Sequence, residues 1–419
     1  MPVSTGEYRV VLLSTAYFFL LLMSYYLLRP MRETFGISRG VDKLPLIWSY
    51  TLGFMALINP LYSALVARWP RRVFIPATYQ CFAVMLVGFG LLYQWLPGHG
   101  GTVLGYTFYI WLSVFNLFVV SIFWAFMSDL YSKENGQRLF GLIAIGGTLG
   151  AIVGAWITGK FSTWLGSEHS HLLFYISAAV LELTILCVMV LFKTHKAPDN
   201  STIKISAEPG PSVTTGLTLL CKSRLLQSVS LYTLLYALTS TFLYIFQGRV
   251  VEQTFTSSAT RTAAFAKIDL WSNVLTLAAQ LFFTHRLIAR VGIPVALTIL
   301  PFMTLLGFGF LWLWPGFAAL AVFQVMRRGL HYAVDRPVRE MLYIPLTPDT
   351  KYKAKSFIDT FVYRAGDFIG IWITPLIQAI SLSLGMLSLG ISTLWLGSAV
   401  WLGKLVRKKI KTLDDPEAV

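Results

Sequence analysis

The sequence predicts an all-α membrane protein with twelve transmembrane helices in two pseudo-symmetric six-helix bundles. Three observations predict this fold: a highly apolar composition, apolar stretches of spanning length along the whole chain, and similar motifs at corresponding places in the two halves. Of the 419 residues, 56% are hydrophobic and only 13% are charged, whereas a soluble domain has about 25% charged residues. A β-barrel would instead show short strands of alternating hydrophobicity.

The spans are predicted from apolar segments of about 20 residues, the length that crosses a bilayer as a helix. One long polar connection, residues 193–225, is rich in Pro, Gly, Ser and Lys, and we predict a flexible cytoplasmic linker there. It would join an N-terminal bundle (1–192) to a C-terminal bundle with a basic tail (226–419). The predicted spans are 8–35, 45–66, 72–96, 103–128, 138–160, 171–192, 226–248, 265–285, 293–314, 317–342, 355–380 and 383–405.

Lysine and arginine residues concentrate in alternate loops, for example Arg71 and Arg72 after span two and Lys353 and Lys355 before span eleven. Short loops rich in these residues stay in the cytoplasm. We therefore expect a multi-pass integral membrane protein with both termini cytoplasmic, in the inner (plasma) membrane if the source is bacterial. The net charge of +15 then reflects basic residues in the cytoplasmic loops, which contact anionic lipid. We therefore expect no nucleic-acid partner.

No motif in the sequence indicates an enzyme active site. Cys81, Cys187 and Cys221 lie far apart and show neither a disulfide framework nor metal-ligand spacing. No nucleophile–base pair or metal cluster is recognisable. We expect no catalysis, no cofactor and no metal, and a monomer.

The two halves contain similar motifs in the same order. Residues 65–70 (LVARWP) after span two match residues 287–292 (LIARVG) after span eight, and the Gly150–Gly154 spacing in span five matches Gly366–Gly370 in span eleven. Duplicated halves are common in transporters, whose sites lie near the membrane midplane. Glycines four residues apart let helices approach closely, so we predict helix packing at Gly150 and Gly154.

The loop after span two resembles the signature of the major facilitator superfamily, Gly-x-Leu-Ala-Asp-Arg-x-Gly-Arg-Arg. Four residues match it: Leu65, Arg68, Arg71 and Arg72. Ser63 and Pro70 replace the two glycines, and Ala67 replaces the acid. The resemblance implies a transporter fold of two six-helix bundles.

Charged residues inside predicted spans are the candidate functional residues, because an intramembrane charge is costly unless it is paired or faces water. In span ten, Arg328, His331, Asp335 and Arg339 recur at steps of three or four and share one helical face. Asp335 can pair with Arg339 at i,i+4. A cluster of basic side chains that reach the cytoplasmic surface is the alternative interpretation.

Spans one and eleven carry further candidates. Arg29, Arg32 and Glu33 lie near the end of span one, and Arg364 lies within i,i+3 of Asp367 in span eleven. Interfacial anchoring and a structural ion pair are the respective alternatives. Span seven adds a polar aromatic stripe of Tyr232, Tyr236, Ser240 and Tyr244. We predict substrate binding by Arg29, Arg32, Arg328, His331, Arg339 and Arg364, and coupling or gating by Glu33, Asp335, Asp359 and Asp367.

Three patches resemble the ATP/ADP translocase (nucleotide transporter) family of intracellular bacteria and plastids. They are residues 25–34 (YYLLRPMRET), Phe123–Trp124 followed by Arg138, and residues 336–346 (RPVREMLYIPL) followed by Lys351, Lys353, Lys355 and Ile358–Asp359. The resemblance implies nucleotide transport, with two family lysines replaced by Arg32 and Arg339. It also places Gln247 where the family carries an acid.

Two functions remain open from the sequence. The first is a secondary active transporter, for instance an antiporter, that moves a small organic anion such as a nucleotide or another phosphorylated solute by alternating access, with a proton or a counter-substrate. The second is a proton-coupled exporter of apolar or cationic compounds, in which Asp359 or Asp367 titrates. The surplus of intramembrane arginine favours the first.

Overall fold

The computed structural model describes residues 5–96, 101–131, 133–194, 213–343, 346–379 and 383–414. Within these ranges all regular structure is helical, which confirms the predicted all-α class. The first part of the chain forms α1 (Thr5–Gly36), a short 3₁₀ turn (Val41–Lys43), α2 (Leu44–Arg68), α3 (Arg71–Trp95), α4 (Gly101–Leu130), α5 (Lys133–Leu165) and α6 (His171–Thr194).

The second part of the chain contains shorter and interrupted helices. It forms α7 (Val213–Lys222), α8 (Arg224–Thr254), α9 (Ser258–Phe282), α10 (Thr284–Leu313), α11 (Phe317–Leu330), α12 (Arg336–Met341), α13 (Pro348–Phe357), α14 (Tyr363–Ala379) and α15 (Leu384–Asp414). One π-helical turn, His331–Asp335, joins α11 to α12, and another, Ile358–Val362, joins α13 to α14. Inside α10, Gly292 has a left-handed φ of 73°, which breaks the helix and favours glycine.

Nine helices in the described ranges are long and apolar enough to cross a membrane. They correspond to nine of the predicted spans. The other three, 265–285, 317–342 and 355–380, fall on α9, α11–α12 and α13–α14, which are more polar or are interrupted by the π turns. The total of twelve spans stays a prediction.

The predicted linker at 193–225 coincides only in part with described structure. Residues 195–212 lie outside the described ranges, as do Ile344 and Pro345 of the family-like patch. The C-terminal part of the predicted flexible linker is instead helical, because Val213–Lys222 forms α7. The proposed boundaries of the two bundles stay a prediction.

The chain forms two compact units, of which the first comprises Met1–Ser206 and Val251–Asn273. Its core surrounds α1, which packs against α4, α5 and α6. The predicted close packing at the span-five glycines is present: a Cβ atom on Gly150 would lie 2.0 Å from the Phe19 carbonyl oxygen, and one on Gly154 would lie 2.7 Å from that of Met23. Only hydrogen atoms fit at these positions.

The second unit comprises Ala207–Val250 and Val274–Val419. Buried side chains such as Tyr232, Leu297, Val338 and Trp395 form its core. Gly366 and Gly370 place α14 directly against α8, at Ala237 and Thr241 respectively. Tyr232 and Tyr236 of α8 contact the first π-helical turn, at Asp335 and His331 respectively.

Candidate functional site

A group of polar side chains in the second unit lies inside its apolar core. We call it the Arg327 cluster: Tyr232, Tyr236, Arg327, His331, Asp335 and Arg339. α8 supplies the two tyrosines, α11 supplies Arg327, the π turn supplies His331 and Asp335, and α12 supplies Arg339.

Arg327 is bound by neutral groups. The residue is only 5% exposed. Nε donates to Thr304 Oγ1 at 3.2 Å, while Nη2 lies 3.0 Å from both Thr239 Oγ1 and Ser240 Oγ. Within the described residues no carboxylate accepts a hydrogen bond from this guanidinium, so its positive charge is solvated by hydroxyl groups and not neutralised by an ion pair.

Asp335 is the acid of the cluster and is almost fully buried. The Tyr232 hydroxyl donates to its Oδ1 at 2.5 Å, and His331 Nδ1 lies 3.0 Å from its Oδ2. The predicted pair with Arg339 is present, because Arg339 Nε lies 3.4 Å from the same Oδ2. The buried cluster therefore contains two guanidinium groups and one carboxylate.

The ring of Tyr236 is surrounded by basic groups. His331 stacks on it with a centroid distance of 4.5 Å and an interplanar angle of 16°. The guanidinium carbons of Arg327 and Arg339 lie 5.1 and 5.5 Å from its centroid. Such contacts are attractive because the ring face carries negative charge density. The polar aromatic stripe predicted from the sequence thus contributes Tyr232 and Tyr236 to the cluster, and its Ser240 accepts a hydrogen bond from Arg327.

Arg327, and not the predicted Arg328, occupies this cluster, and the π-helical turn explains the difference. In a regular α-helix, side chains eleven residues apart point in directions that differ by about 20° around the helix axis, whereas side chains twelve residues apart differ by about 120°. Arg328 would therefore share a face with Arg339. A π turn accommodates one extra residue. The π turn His331–Asp335 therefore places Arg327, twelve residues before Arg339, on the same face as Arg339. Arg328 itself is half-buried.

The predicted residues near the second π turn lie at the periphery of the cluster. Asp359 is exposed. The predicted i,i+3 pair is present, with Arg364 Nη1 3.6 Å from Asp367 Oδ2, but the Arg364 side chain is 51% exposed whereas Asp367 is buried. Thr241 donates to Asp367 Oδ1 at 3.3 Å.

The family-like patch at α12 forms a different ion pair from the one expected. The sequence spacing favours Arg336 with Glu340, but Glu340 Oε2 accepts from Lys355 Nζ at 2.5 Å. Arg336 is exposed. Gln247, at the position of a family acid, accepts a hydrogen bond from Gln324 Nε2 at 2.5 Å, so a neutral amide pair occupies that place.

In the first unit, Arg29 forms an ion pair with Asp269 of α9. The sequence spacing favours a pair between Arg29 and Glu33. Glu33 Oε1 instead lies 3.4 Å from Arg32 Nη2. The Arg29 side chain is 18% exposed, and interfacial anchoring stays the alternative interpretation of this residue.

Arg32 lies on an aromatic side chain of the first unit. Its guanidinium carbon is 4.4 Å from the ring centroid of Tyr109, and Nη2 donates to the Tyr109 hydroxyl at 3.2 Å. Trp48 Nε1 donates to the same hydroxyl at 2.8 Å. This second cluster combines a cation with two aromatic side chains, of which Tyr109 is buried.

Sequence reasoning missed four of these residues: Trp48, Tyr109, Asp269 and Arg327. Asp269 carried a usable signal, because it is an acid within a largely apolar helix. The aromatic residues carried none, since Tyr and Trp are frequent along the whole chain. The described residues contain no group of His, Cys, Asp and Glu that could hold a metal ion.

Comparison with known proteins decides the family. A model of the Major Facilitator Superfamily matches residues 10–330. The chain belongs to this superfamily. The match agrees with the resemblance of the loop after span two to the superfamily signature.

Transporters with solved structures have the same fold. A mutant of the nucleoside transporter NupG superposes with a TM-score of 0.65 at 16% identity, covering 94% of this chain and 98% of NupG. The xylose transporter XylE from E. coli, in its inward open conformation, gives a TM-score of 0.61 at 11% identity over 94% and 95% of the two chains. These likenesses confirm the major facilitator-like fold.

A sequence relative matches the predicted family resemblance. The ADP,ATP carrier protein 2 of Chlamydia pneumoniae is 22% identical, covering 91% of this chain and 86% of the carrier. Together with the apolar helices, these findings identify a multi-pass integral membrane protein of a transporter superfamily, similar to nucleotide carriers.

Proposed function

We propose that the chain is a secondary active transporter that moves a small organic anion by alternating access. A nucleotide or another phosphorylated solute is the favoured class. The single observation that carries the proposal is the composition of the Arg327 cluster, in which the buried Arg327 and the largely buried Arg339, with a side chain 14% exposed, accompany one carboxylate.

An excess positive charge inside the cluster is costly until an anion neutralises it, because burial deprives it of water. Arginine is suited to this task, since its planar fork binds phosphate or carboxylate through two parallel hydrogen bonds. Arg327 and Arg339 lie on the same Tyr236 ring. We assign them as the anion-binding pair, with Asp335 competing for Arg339 when the anion is absent.

The first unit contains a separate basic group. Arg32 lies on the ring of Tyr109, with Trp48 beside it, and its guanidinium suits an anionic group. Arg29 and Glu33 complete the polar end of α1. The similar proteins include a nucleoside transporter and an ADP,ATP carrier, which supports a substrate that combines a flat base with phosphate.

The alternative, an exporter of cationic or apolar compounds, places the proton-binding role on Asp367 and makes the arginines structural. A cation would meet a net positive cluster, so the geometry favours an anion. We also retain the cytoplasmic location of both termini and an inner-membrane location as part of the proposal, on the basis of the loop charges.

The test starts with purified protein. A thermal-shift screen against ADP, AMP, inorganic phosphate, a dicarboxylate and a lipophilic cation identifies the ligand class, and uptake of the best radiolabelled ligand follows in proteoliposomes. Arg327→Gln and Arg339→Gln should each lower uptake at least tenfold, since a charge-assisted hydrogen bond contributes about 1.5–3 kcal/mol. Arg407→Gln, at an exposed arginine of α15, is the matched control.

Stabilisation by the lipophilic cation alone would contradict the anion assignment. So would wild-type uptake by both cluster variants, provided that their elution profiles in size-exclusion chromatography match that of the wild type.

A further inference from the structure

His331 is placed where its protonation would change the charge of the Arg327 cluster. Its ring is stacked on Tyr236, its Nδ1 is held by Asp335 at 3.0 Å, and its side chain is only 12% exposed. The contact with Asp335 fixes the orientation of the imidazole and leaves Nε2 as the second titratable atom.

Several elements contribute charged or titratable groups around His331. The Asp335 carboxylate lies 3.0 Å from His331 Nδ1, and the guanidinium groups of Arg327 and Arg339 lie near the Tyr236 ring on which His331 stacks. α10 and α15 contribute the uncharged Thr304 and Trp395. The remaining groups are Tyr232 and Tyr236 on α8, Arg328 on α11, Tyr332 on the π turn, Asp359 on the second π turn, and Tyr363, Arg364 and Asp367 on α14.

We propose that His331 is a proton-binding site that couples the uptake of one proton to the binding of the anion in the Arg327 cluster. The proposal rests on the proposed function, because it needs an anion beside Arg327 and Arg339. It deepens that function from anion transport to transport of an anion together with a proton.

The coupling follows from charge balance. With a neutral imidazole, the two guanidinium groups and Asp335 leave one positive charge; with the imidazolium they leave two. A bound anion removes the repulsion between the imidazolium and the guanidinium groups, so it raises the affinity of His331 for a proton. By thermodynamic reciprocity, the proton raises the affinity for the anion by the same factor. A dianion then enters with one proton.

Isothermal titration calorimetry with ADP measures this coupling. Titrations at pH 6 and pH 8, each in two buffers of different ionisation enthalpy, give the affinity and the number of protons taken up. We expect ADP to bind wild type about tenfold more tightly at pH 6, a typical coupling factor. ADP itself gains protons in this range, since the second pKa of a phosphate monoester is about 6. The decisive quantity is therefore the difference between wild type and His331→Gln.

His331→Gln should abolish the additional proton uptake and flatten the remaining pH dependence to that of ADP alone. His285→Gln, at an exposed histidine of α10, should retain the wild-type values. A second measurement does not depend on a folded variant: in ¹⁵N-histidine-labelled wild type, which contains six histidines, addition of ADP should shift one imidazole toward its protonated form.

Each other outcome overturns the coupling. If wild type and His331→Gln take up equal numbers of protons while ADP still binds, the anion site stands and the proton site does not. If Asp367→Asn removes the proton and His331→Gln does not, the proton binds on α14. If neither ADP nor inorganic phosphate binds, the proposed function itself fails, and the coupling fails with it.

Discussion

Arg29 of α1 and the buried Asp269 of α9 form a partly buried ion pair, although 240 residues separate them in the chain. Two further polar contacts lie nearby. Thr34 Oγ1 lies 2.9 Å from Thr262 Oγ1, and the Val41 amide donates to Glu252 Oε2 at 3.3 Å. The end of α1 and the residues after it are thus tied to the end of α8 and to α9.

Removal of one partner of this ion pair should destabilise the protein strongly. Arg29→Ala leaves the Asp269 carboxylate buried without its counter-ion, and breaking such a pair typically costs about 3–5 kcal/mol. We expect a large fall in the melting temperature of the detergent-solubilised protein. The double variant Arg29→Met/Asp269→Leu removes both charges and should recover most of the lost stability.

Lys355→Met is the matched control, because the Lys355–Glu340 pair is partly exposed, at 34% and 45%. Exposed pairs contribute about 0–1 kcal/mol, so its melting temperature should stay close to that of wild type. Equal losses for Arg29→Ala and Lys355→Met would show that the pair with Asp269 has no special role.

The Arg29–Asp269 pair shows where prediction from sequence ends. The rule that intramembrane charges are paired identifies Arg29 as a residue that needs a partner. It gives no partner 240 residues away, because that contact depends on tertiary packing. The pairs predicted correctly, Asp335–Arg339 and Arg364–Asp367, are three or four residues apart on one helix.

Gly150→Ala should destabilise the packing of α5 on α1. The added Cβ would lie 2.0 Å from the backbone oxygen of Phe19, and backbone cannot move aside as a side chain can. Overpacking of this kind costs about 1–3 kcal/mol. The measurement is the melting temperature and the yield of monodisperse protein.

In Gly141→Ala, in the same helix, the added Cβ would have no neighbour within 4 Å among the described residues outside the adjacent backbone of α5. This variant should be neutral or stabilise the helix by up to about 1 kcal/mol, because alanine is the better helix former. A stable Gly150→Ala variant would refute the close approach. The sequence predicted this packing because glycine spacing is local information, although it did not identify α1 as the partner.

Arg327→Gln and Arg328→Gln should differ although the residues are adjacent. Arg327 donates to Thr304, Thr239 and Ser240 inside the cluster, so its loss should lower anion uptake at least tenfold. Arg328→Gln should lower uptake less, since the π turn moves Arg328 off that face. Initial uptake rates in proteoliposomes, normalised to folded protein, measure the difference; the reverse ranking would contradict the assigned register.

The register at this site could not be predicted from sequence spacing. The steps of three and four residues correctly place His331, Asp335 and Arg339 together, because these lie within or after the π turn. A π turn has no sequence signature comparable to that of proline or glycine. Its extra residue therefore displaces the predicted alignment by one position, from Arg328 to Arg327.

Tyr236→Phe and Tyr236→Leu separate the ring of Tyr236 from its hydroxyl group. Within the described residues, the ring stacks on His331 and faces both arginines. Phenylalanine retains this aromatic face, so uptake should fall less than threefold. Leucine removes it, and the loss of cation–π contacts worth about 0.5–2 kcal/mol each should raise the KM for the anion more than tenfold. Because the two substitutions remove the same hydroxyl, equal kinetic defects would assign the effect to the hydroxyl and refute a role for the ring.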